Sequence, residues 1–158
     1  MLRDKNLVPL SRQHQHALAL CVRIDRASPI AESKLLQWQR EMAQQFEAEI
    51  KIHFAAEEQI LFPAARSFAD LNSLVDELLG EHALLRVCFT KAEAGQMRSD
   101  EITDFACKLS EHVRKEERQL FECLQQSLTS EEMECVGREL DRALENASQT
   151  CSLPTPKQ

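Results

Sequence analysis

Apolar residues recur at intervals of three and four along most of the chain, the spacing that places them on one face of an α-helix. With the turn and capping residues between them, these stretches predict four long helices, from about Pro9 to Ser28, Ser33 to Arg66, Asn72 to Gly95 and Asp100 to Leu128. Thr129 and Glu132 have the spacing of a capping box, which predicts a short fifth helix to about Asn146.

Four long helices joined by short connections predict an all-α fold, an up-down-up-down antiparallel four-helix bundle with a short C-terminal fifth helix. The composition agrees, because the 158 residues include three glycines and no tyrosine. Pro63 should bend the last turn of the second helix, and Asn72 should cap the third. We expect one domain of residues 1–146, followed by a flexible tail of residues 147–158.

Charge and apolar content exclude several classes of partner. A net charge of −7 argues against nucleic acid or an anionic membrane as the main partner. The chain shows no charged-then-apolar leader and no apolar run near about 18 residues, so we expect a soluble, cytoplasmic protein. Its six cysteines form no C-x-x-C pair and should be reduced, mostly buried thiols, with Cys151 the most exposed. Cysteines and exposed leucines on the fifth helix would permit a homodimer.

One ten-residue pattern occurs twice, as HFAAEEQILF at 53–62 and HVRKEERQLF at 112–121. Because positions i and i+4 stack on one helix face, His53 points the same way as Glu57, and His112 the same way as Glu116. Two helices that each offer an imidazole and a carboxylate to the bundle interior form half of a paired-metal site.

The other two long helices also carry a histidine on the apolar face. His82 continues the apolar face of the third helix, and His14 continues that of the first. His16 is the alternative on the first helix, but it lies about 200° around the helix from His14 and has poorer apolar companions, so the pattern favours His14. A single histidine on an apolar face is usually a hydrogen-bonded core residue. Four of them buried with two glutamates would need compensating charge, which a pair of cations supplies.

The donor types narrow the choice of metal. Imidazoles mixed with carboxylates suit iron or manganese, whereas calcium and magnesium prefer oxygen, and the absence of cysteine from the pattern disfavours a structural zinc site. Six side chains around two ions leave positions for an oxide or hydroxide bridge and for a small ligand. Glu58 and Glu117 follow the two carboxylates and should lie at the margin, with Glu117 kept as an alternative to Glu116. Glu49 and Glu81 could contact the ligands from outside, although a solvated face is favoured for both.

These segments, together with LSRQHQHALAL at 10–20 and EHALLR at 81–86, resemble the hemerythrin-like, or HHE cation-binding, domain over residues 7–128. The resemblance implies a non-heme di-iron centre in a four-helix bundle. It implies imidazole ligands and two glutamates that bridge the irons, at the positions His14, His53, His82, His112, Glu57 and Glu116. Oxygen-carrying members have a second histidine one turn after the first on the third helix, where this chain has Arg86. One iron would therefore lack a nitrogen ligand, which argues against reversible oxygen storage.

From this resemblance we therefore expect a protein with two iron ions joined by an oxo or hydroxo bridge that binds or reacts with dioxygen, nitric oxide or peroxide. The alternative is an iron- or oxygen-responsive sensor, or an iron-handling module, without turnover. Whether the protein is an enzyme stays open. Oxygen-activating bundles use four glutamates with two histidines, and no tyrosine is present to form a radical, so that class is less favoured. A metal-free interaction protein would leave the four buried histidines unexplained.

Overall fold

The computed structural model describes residues 2–150, with side chains described as far as Glu145, and all regular structure within that range is helical. We number five helices α1 to α5. They are α1 (Val8–Ala27), α2 (residues 35–65), α3 (Asn72–Glu93), α4 (residues 99–127) and α5 (Ser130–Thr150). Single 3₁₀ turns precede α2 and α3, at Glu32–Lys34 and Ala69–Leu71.

Three π-helical turns interrupt the two longest helices. Helix α2 consists of Leu35–Gln45, the π turn Phe46–Ile50, Lys51–Ala56, the π turn Glu57–Leu61 and Phe62–Ala65. Helix α4 consists of Ser99–Lys115, the π turn Glu116–Leu120 and Phe121–Ser127. π turns in proteins are frequent at functional sites. Two of the three begin at a glutamate of the repeated ten-residue pattern.

The π turn Glu57–Leu61 in α2 does not arise from Pro63. Its defining bond joins the Phe62 N–H to the carbonyl of Glu57, five residues earlier, and Pro63 lies in the first turn of the segment that follows. In α4 the corresponding bond joins the Phe121 N–H to the carbonyl of Glu116, although the next residue there is a glutamate. The feature shared by both turns is the repeated pattern itself.

The predicted helix boundaries hold with two local differences. Gly95, at a φ of 67°, follows the end of α3 as expected, and Thr129 forms a capping box with Glu132 through contacts of 2.8 and 3.3 Å. The prediction for Asn72 is wrong by one residue, since Leu71 precedes α3 without a side-chain cap. Helix α5 reaches Thr150, beyond the predicted end near Asn146. Residues 151–158, most of the predicted tail, lie outside the described residues.

The helices pack as a bundle whose core is divided into two apolar clusters. Helix α1 packs on α4, α2 packs on α3, and α3 also contacts α4, while α5 packs along the middle of α2. One cluster includes Phe54, Phe89 and Phe105, and the other includes Phe62 and Phe121 with the apolar face of α5. The up-down-up-down order of helix directions stays a prediction. No described helix is both long and apolar enough to cross a membrane.

The surface expectations need correction in two places. Of the five cysteines within the described residues, all free thiols, only Cys21 is buried, whereas Cys107 and Cys135 are exposed. Cys151 lies outside the described residues. The leucines of α5 are not exposed, because Leu140 is fully buried and Leu144 packs against the second cluster. They therefore give no support to a homodimer through that helix.

Candidate metal centre

The four helices of the bundle bring the six predicted ligand residues together in the interior. None of them is more than 4% exposed, and both carboxylates are fully buried. The set is His14 of α1, His53 and Glu57 of α2, His82 of α3, and His112 and Glu116 of α4. They form a polar layer between two apolar clusters, and ligand-type side chains in such a layer need an explanation.

The six residues form two overlapping groups of four. The first is His14, His53, Glu57 and Glu116, and the second is Glu57, His82, His112 and Glu116. In each group one donor atom from every residue lies within 4.8 Å of the others. Both carboxylates belong to both groups, while each pair of histidines belongs to one. The arrangement therefore fits two adjacent cations that share two carboxylates.

The inner nitrogens of each histidine pair face each other closely. The two Nε2 atoms of His14 and His53 are 2.9 Å apart, and those of His82 and His112 are 3.1 Å apart. Two nitrogens bound at right angles to one ion, each at about 2.1 Å, would lie about 3.0 Å apart. Each pair thus has the separation expected of two neighbouring ligands of one cation.

The outer nitrogen of every buried histidine donates to an acceptor on the next helix. The Nδ1 distances are 2.8 Å from His53 to Gln13, 2.8 Å from His82 to Glu58, 2.8 Å from His112 to Glu81, and 2.7 Å from His14 to Glu117. Each of the four bundle helices thereby supplies an acceptor to a histidine of a neighbouring helix. The acceptor of α1 serves α2, that of α2 serves α3, that of α3 serves α4, and that of α4 serves α1. We call these four acceptors the outer ring. In the neutral imidazole these contacts place the hydrogen on Nδ1, so that Nε2 can present its lone pair to a cation at the centre.

Three of the four outer-ring acceptors are carboxylates, and each is paired with a cation. Arg86 lies 2.7 Å from Glu58, Arg3 lies 2.6 Å from Glu117, and Lys115 pairs with Glu81. Burial raises the pKa of each carboxyl, but the cation and the histidine together lower it below its usual value. These acceptors are therefore ionised. The fourth, Gln13, is a neutral amide.

The two shared carboxylates are the least satisfied groups in the centre. All four oxygens of Glu57 and Glu116 are buried and have no hydrogen-bond partner of proper geometry within the described residues. Histidine Nε2 atoms lie close to them, 3.1 Å from Glu57 at His53 and 3.1 Å from Glu116 at His14. Burial and the neighbouring Glu57 raise the pKa of Glu116, but His112 and His14 outweigh them and lower it to about 2. Burial lowers the pKa of His112, but Glu116 and Glu81 reverse this and raise it to about 10. Anionic oxygens without donors fit a cation between them.

The structure separates the alternatives that the sequence left open. His16 lies on the surface with its side chain 65% exposed, where its Nδ1 is 2.9 Å from Glu49, so His14 is the histidine in the cluster. Glu117 lies in the outer ring and Glu116 lies inside. Glu49 contacts this exposed histidine and none of the four buried ones among the described contacts.

The outer ring was only partly foreseen. Glu58 and Glu117 lie at the margin as expected and contact buried histidines, whereas the solvated face favoured for Glu81 is wrong, because Glu81 contacts His112. Arg86 pairs with Glu58. Gln13 and the two other cations were missed. A signal was present, because every outer-ring residue is adjacent in sequence to an inner one, as Gln13 is to His14. Helix periodicity, however, does not say which residue of another helix such a neighbour will contact.

A small cavity adjoins one side of the centre. Its volume is about 10 Å³, and His14, His53 and His112 reach it, whereas His82 does not. The rest of the lining is mostly apolar, with Gln13 and Glu49 as its other polar side chains. A volume of about 10–15 Å³ on this measure is what one water molecule needs, so the cavity suits a ligand of about that size.

Comparison with known proteins gives two matches. The model of the family described as Hemerythrin HHE cation binding domain matches residues 8–124. A curated protein named DNA nickase, from Nostoc sp. (strain PCC 7120 / SAG 25.82 / UTEX 2576), is 31% identical over 98 residues. The match covers 60% of this chain and 28% of that protein, so this chain spans less than a third of its length. No solved structure matches the chain.

Proposed function

The chain belongs to the family of hemerythrin HHE cation-binding domains, and from this premise we propose that its buried histidines and glutamates hold two iron ions. His14 and His53 would bind one ion, and His82 and His112 the other. Glu57 and Glu116 would bind both. The donor set fits this group, since mixed imidazole and carboxylate ligands suit iron and leave positions open for a further ligand.

The observation that carries the proposal is the set of four buried carboxylate oxygens that face histidine Nε2 atoms and, within the described residues, accept no hydrogen bond of proper geometry. One cation would neutralise part of this charge but would leave one histidine pair facing each other without a shared partner. Two cations engage both pairs and both carboxylates. A satisfied, metal-free polar core would instead be expected to give these oxygens protein donors.

We propose further that the centre binds or reacts with a ligand of diatomic or peroxidic size, namely dioxygen, nitric oxide or hydrogen peroxide. The support is the small cavity beside His14, His53 and His112, since a space of about the size of one water molecule favours a ligand of very few atoms. When bound, iron would supply Lewis acidity and redox capacity. The protein would supply the rest, since Ile50, Phe54 and Leu109 line the cavity with apolar surface and limit the entry of bulk water.

The test is anaerobic purification, reconstitution with ferrous iron, and measurement of iron per chain, followed by absorption spectra with each of the three ligands. We expect about two irons per chain and ligand-dependent spectra. His14→Ala should lose iron, whereas His16→Ala should behave like the wild type, because the latter histidine is on the surface. A chain that takes up no iron, or in which the two variants lose iron equally, would contradict the proposal.

A sensor or iron-handling module without turnover is the second candidate. The observation in its favour is that the buried carboxylates lack donors, so the stability of the fold should depend on metal occupancy. A large rise in melting temperature with iron, together with no consumption of peroxide or oxygen, would favour it. DNA nicking, named for the Nostoc protein, is not proposed here, because the match covers 28% of that protein and this chain carries a net charge of −7.

A further inference from the structure

The two metal positions have the same inner donors, two histidines and two shared carboxylates. Nothing in that inner set makes one position different from the other. The inference rests on the proposed function, and it concerns the residue that would make the two positions unequal. The outer ring is the place where they differ.

The asymmetry of the outer ring falls on His53. His82, His112 and His14 donate to ionised carboxylates, each paired with a cation, whereas His53 donates at 2.8 Å to the amide oxygen of Gln13. A carboxylate accepts the Nδ1 hydrogen more strongly than an amide does and makes the imidazole a stronger donor through Nε2. His53 should therefore be the weakest nitrogen donor of the four.

The same residue also lies on the cavity. Gln13 lines it together with both histidines of one position, His14 and His53, and with one histidine of the other position, His112. The cavity therefore lies against both nitrogen donors of the position with the weaker donor set, and against one nitrogen donor of the other position. A more electron-poor cation binds an exogenous donor ligand more strongly.

We propose that Gln13 is a positioning residue that weakens His53 as a nitrogen donor, by bracing it with a neutral amide instead of a carboxylate, and thereby strengthens the binding of an exogenous ligand at the His14–His53 position. Its effect passes through His53 and requires no contact with the bound ligand. Replacing Gln13 by glutamate would give all four histidines a carboxylate brace and would remove the difference between the positions.

A charge introduced at position 13 could also act directly through space, because the residue lines the cavity. Glu49 provides the control, since it lines the same cavity and its contact is with the exposed His16. The double variant Gln13→Glu with Glu49→Gln keeps the formal charge around the cavity constant and changes only the brace on His53. Glu49→Gln alone measures the effect of cavity charge.

The experiment uses iron-reconstituted full-length protein and two readouts, the affinity of the ferric form for azide and the reduction potential. In the double variant we expect azide to bind about tenfold more weakly and the potential to fall, at unchanged iron content. Glu58→Gln, which alters the brace on His82 at the other position, should change azide affinity less than about threefold. Wild-type azide affinity and potential in the double variant would overturn the inference.

Two further outcomes are decisive. If Gln13→Glu and Glu49→Gln shift azide affinity in opposite directions and cancel in the double variant, cavity charge explains the effect and the inference fails. If the glutamate variants do not take up iron, Gln13→Met removes the acceptor without adding charge and should shift both readouts the opposite way, toward tighter azide binding and a higher potential. An unchanged Gln13→Met protein would overturn the inference. Failure of the wild type to bind iron would instead overturn the proposed function.

Discussion

The two copies of the repeated pattern, residues 53–62 and 112–121, have the same inner geometry in different surroundings. In each copy a buried histidine is followed one turn later by a fully buried glutamate, and that glutamate opens a π-helical turn. The braces differ, because His53 donates to the amide of Gln13 and His112 donates to the carboxylate of Glu81. Local sequence determines the inner donors, and the neighbouring helix determines how each is held.

The second glutamate of each copy shows the same division. Glu58 is paired with Arg86 of α3, a neighbouring helix of the bundle, and both side chains are half-buried. Glu117 is paired with Arg3, which precedes α1 and also donates to Gln125. The first copy is thus anchored by a bundle helix, and the second by the N-terminal segment of the chain.

The largest effect should come from removing the first glutamate of either copy of the repeated pattern, because each of these two belongs to both metal positions. Glu57→Gln or Glu116→Gln should reduce iron from about two per chain toward zero, because each glutamate belongs to both groups of donors. His53→Ala or His112→Ala removes a ligand from one position and should leave more iron bound. Iron per chain, measured after reconstitution at stoichiometric iron, tests this. Equal iron in the glutamate and histidine variants would contradict the shared arrangement.

A smaller effect should appear when the metal-free protein is titrated. The pKa of His112 in the second copy is raised from 6.5 to about 10, so its contribution to stability is complete below pH 6.5 and is lost as the pH rises to 10. We expect the free energy of unfolding of chelator-treated protein to fall by roughly 2–4 kcal/mol over that range. On the acid side, Glu116, with its pKa lowered to about 2, should lose its contribution as the pH falls from 4.5 to 2.

Urea unfolding at several pH values measures this dependence. Glu81→Gln removes one of the groups that raise the pKa of His112 and should reduce the loss on the alkaline side. A free energy of unfolding that stays constant between pH 6.5 and pH 10 would show that these pKa shifts do not govern the stability of the metal-free protein.

The smallest effect should come from two helical glycines, one of which contacts the N-terminal segment that also carries Arg3. A Cβ at Gly137 of α5 would overlap the side chain of Asn6, whereas a Cβ at Gly80 of α3 would have no neighbour within 4 Å. Gly137→Ala should lower the free energy of unfolding by roughly 1–2 kcal/mol, and Gly80→Ala should raise it by about 0.5–1 kcal/mol. Thermal melting measures both, and a Gly137→Ala protein as stable as Gly80→Ala would refute the predicted contact.

Helix periodicity predicted a helical bundle and the faces that carry its inner side chains, but it left His16 open as an alternative to His14 and Glu117 as an alternative to Glu116. Polar residues such as His82 interrupt otherwise apolar faces, and the 3.6-residue repeat assigns those faces without knowledge of the partner helices. The outer ring could not be predicted in the same way. Gln13 stands among the polar residues Arg12 and Gln15, and its contact with His53 depends on the register between two helices.

The differences in local structure have a similar origin. The π turns that begin at Glu57 and Glu116 replace i→i+4 bonds with i→i+5 bonds, and no residue type in those stretches requires the change. At the start of α3, the preceding 3₁₀ turn places Leu71 at the position where a capping asparagine was expected. Propensity identifies a helix end only to within a residue or two.

Each member of the outer ring is the sequence neighbour of an inner donor, and this places two tasks on one turn of every helix. A one-residue insertion or deletion upstream in a helix would rotate that turn by about 100°. The helix would withdraw its own donor from the interior and, in the same movement, would release the histidine of the adjoining helix. The centre therefore depends on the mutual alignment of all four helices, and a shift in any one helix would displace donors on two helices.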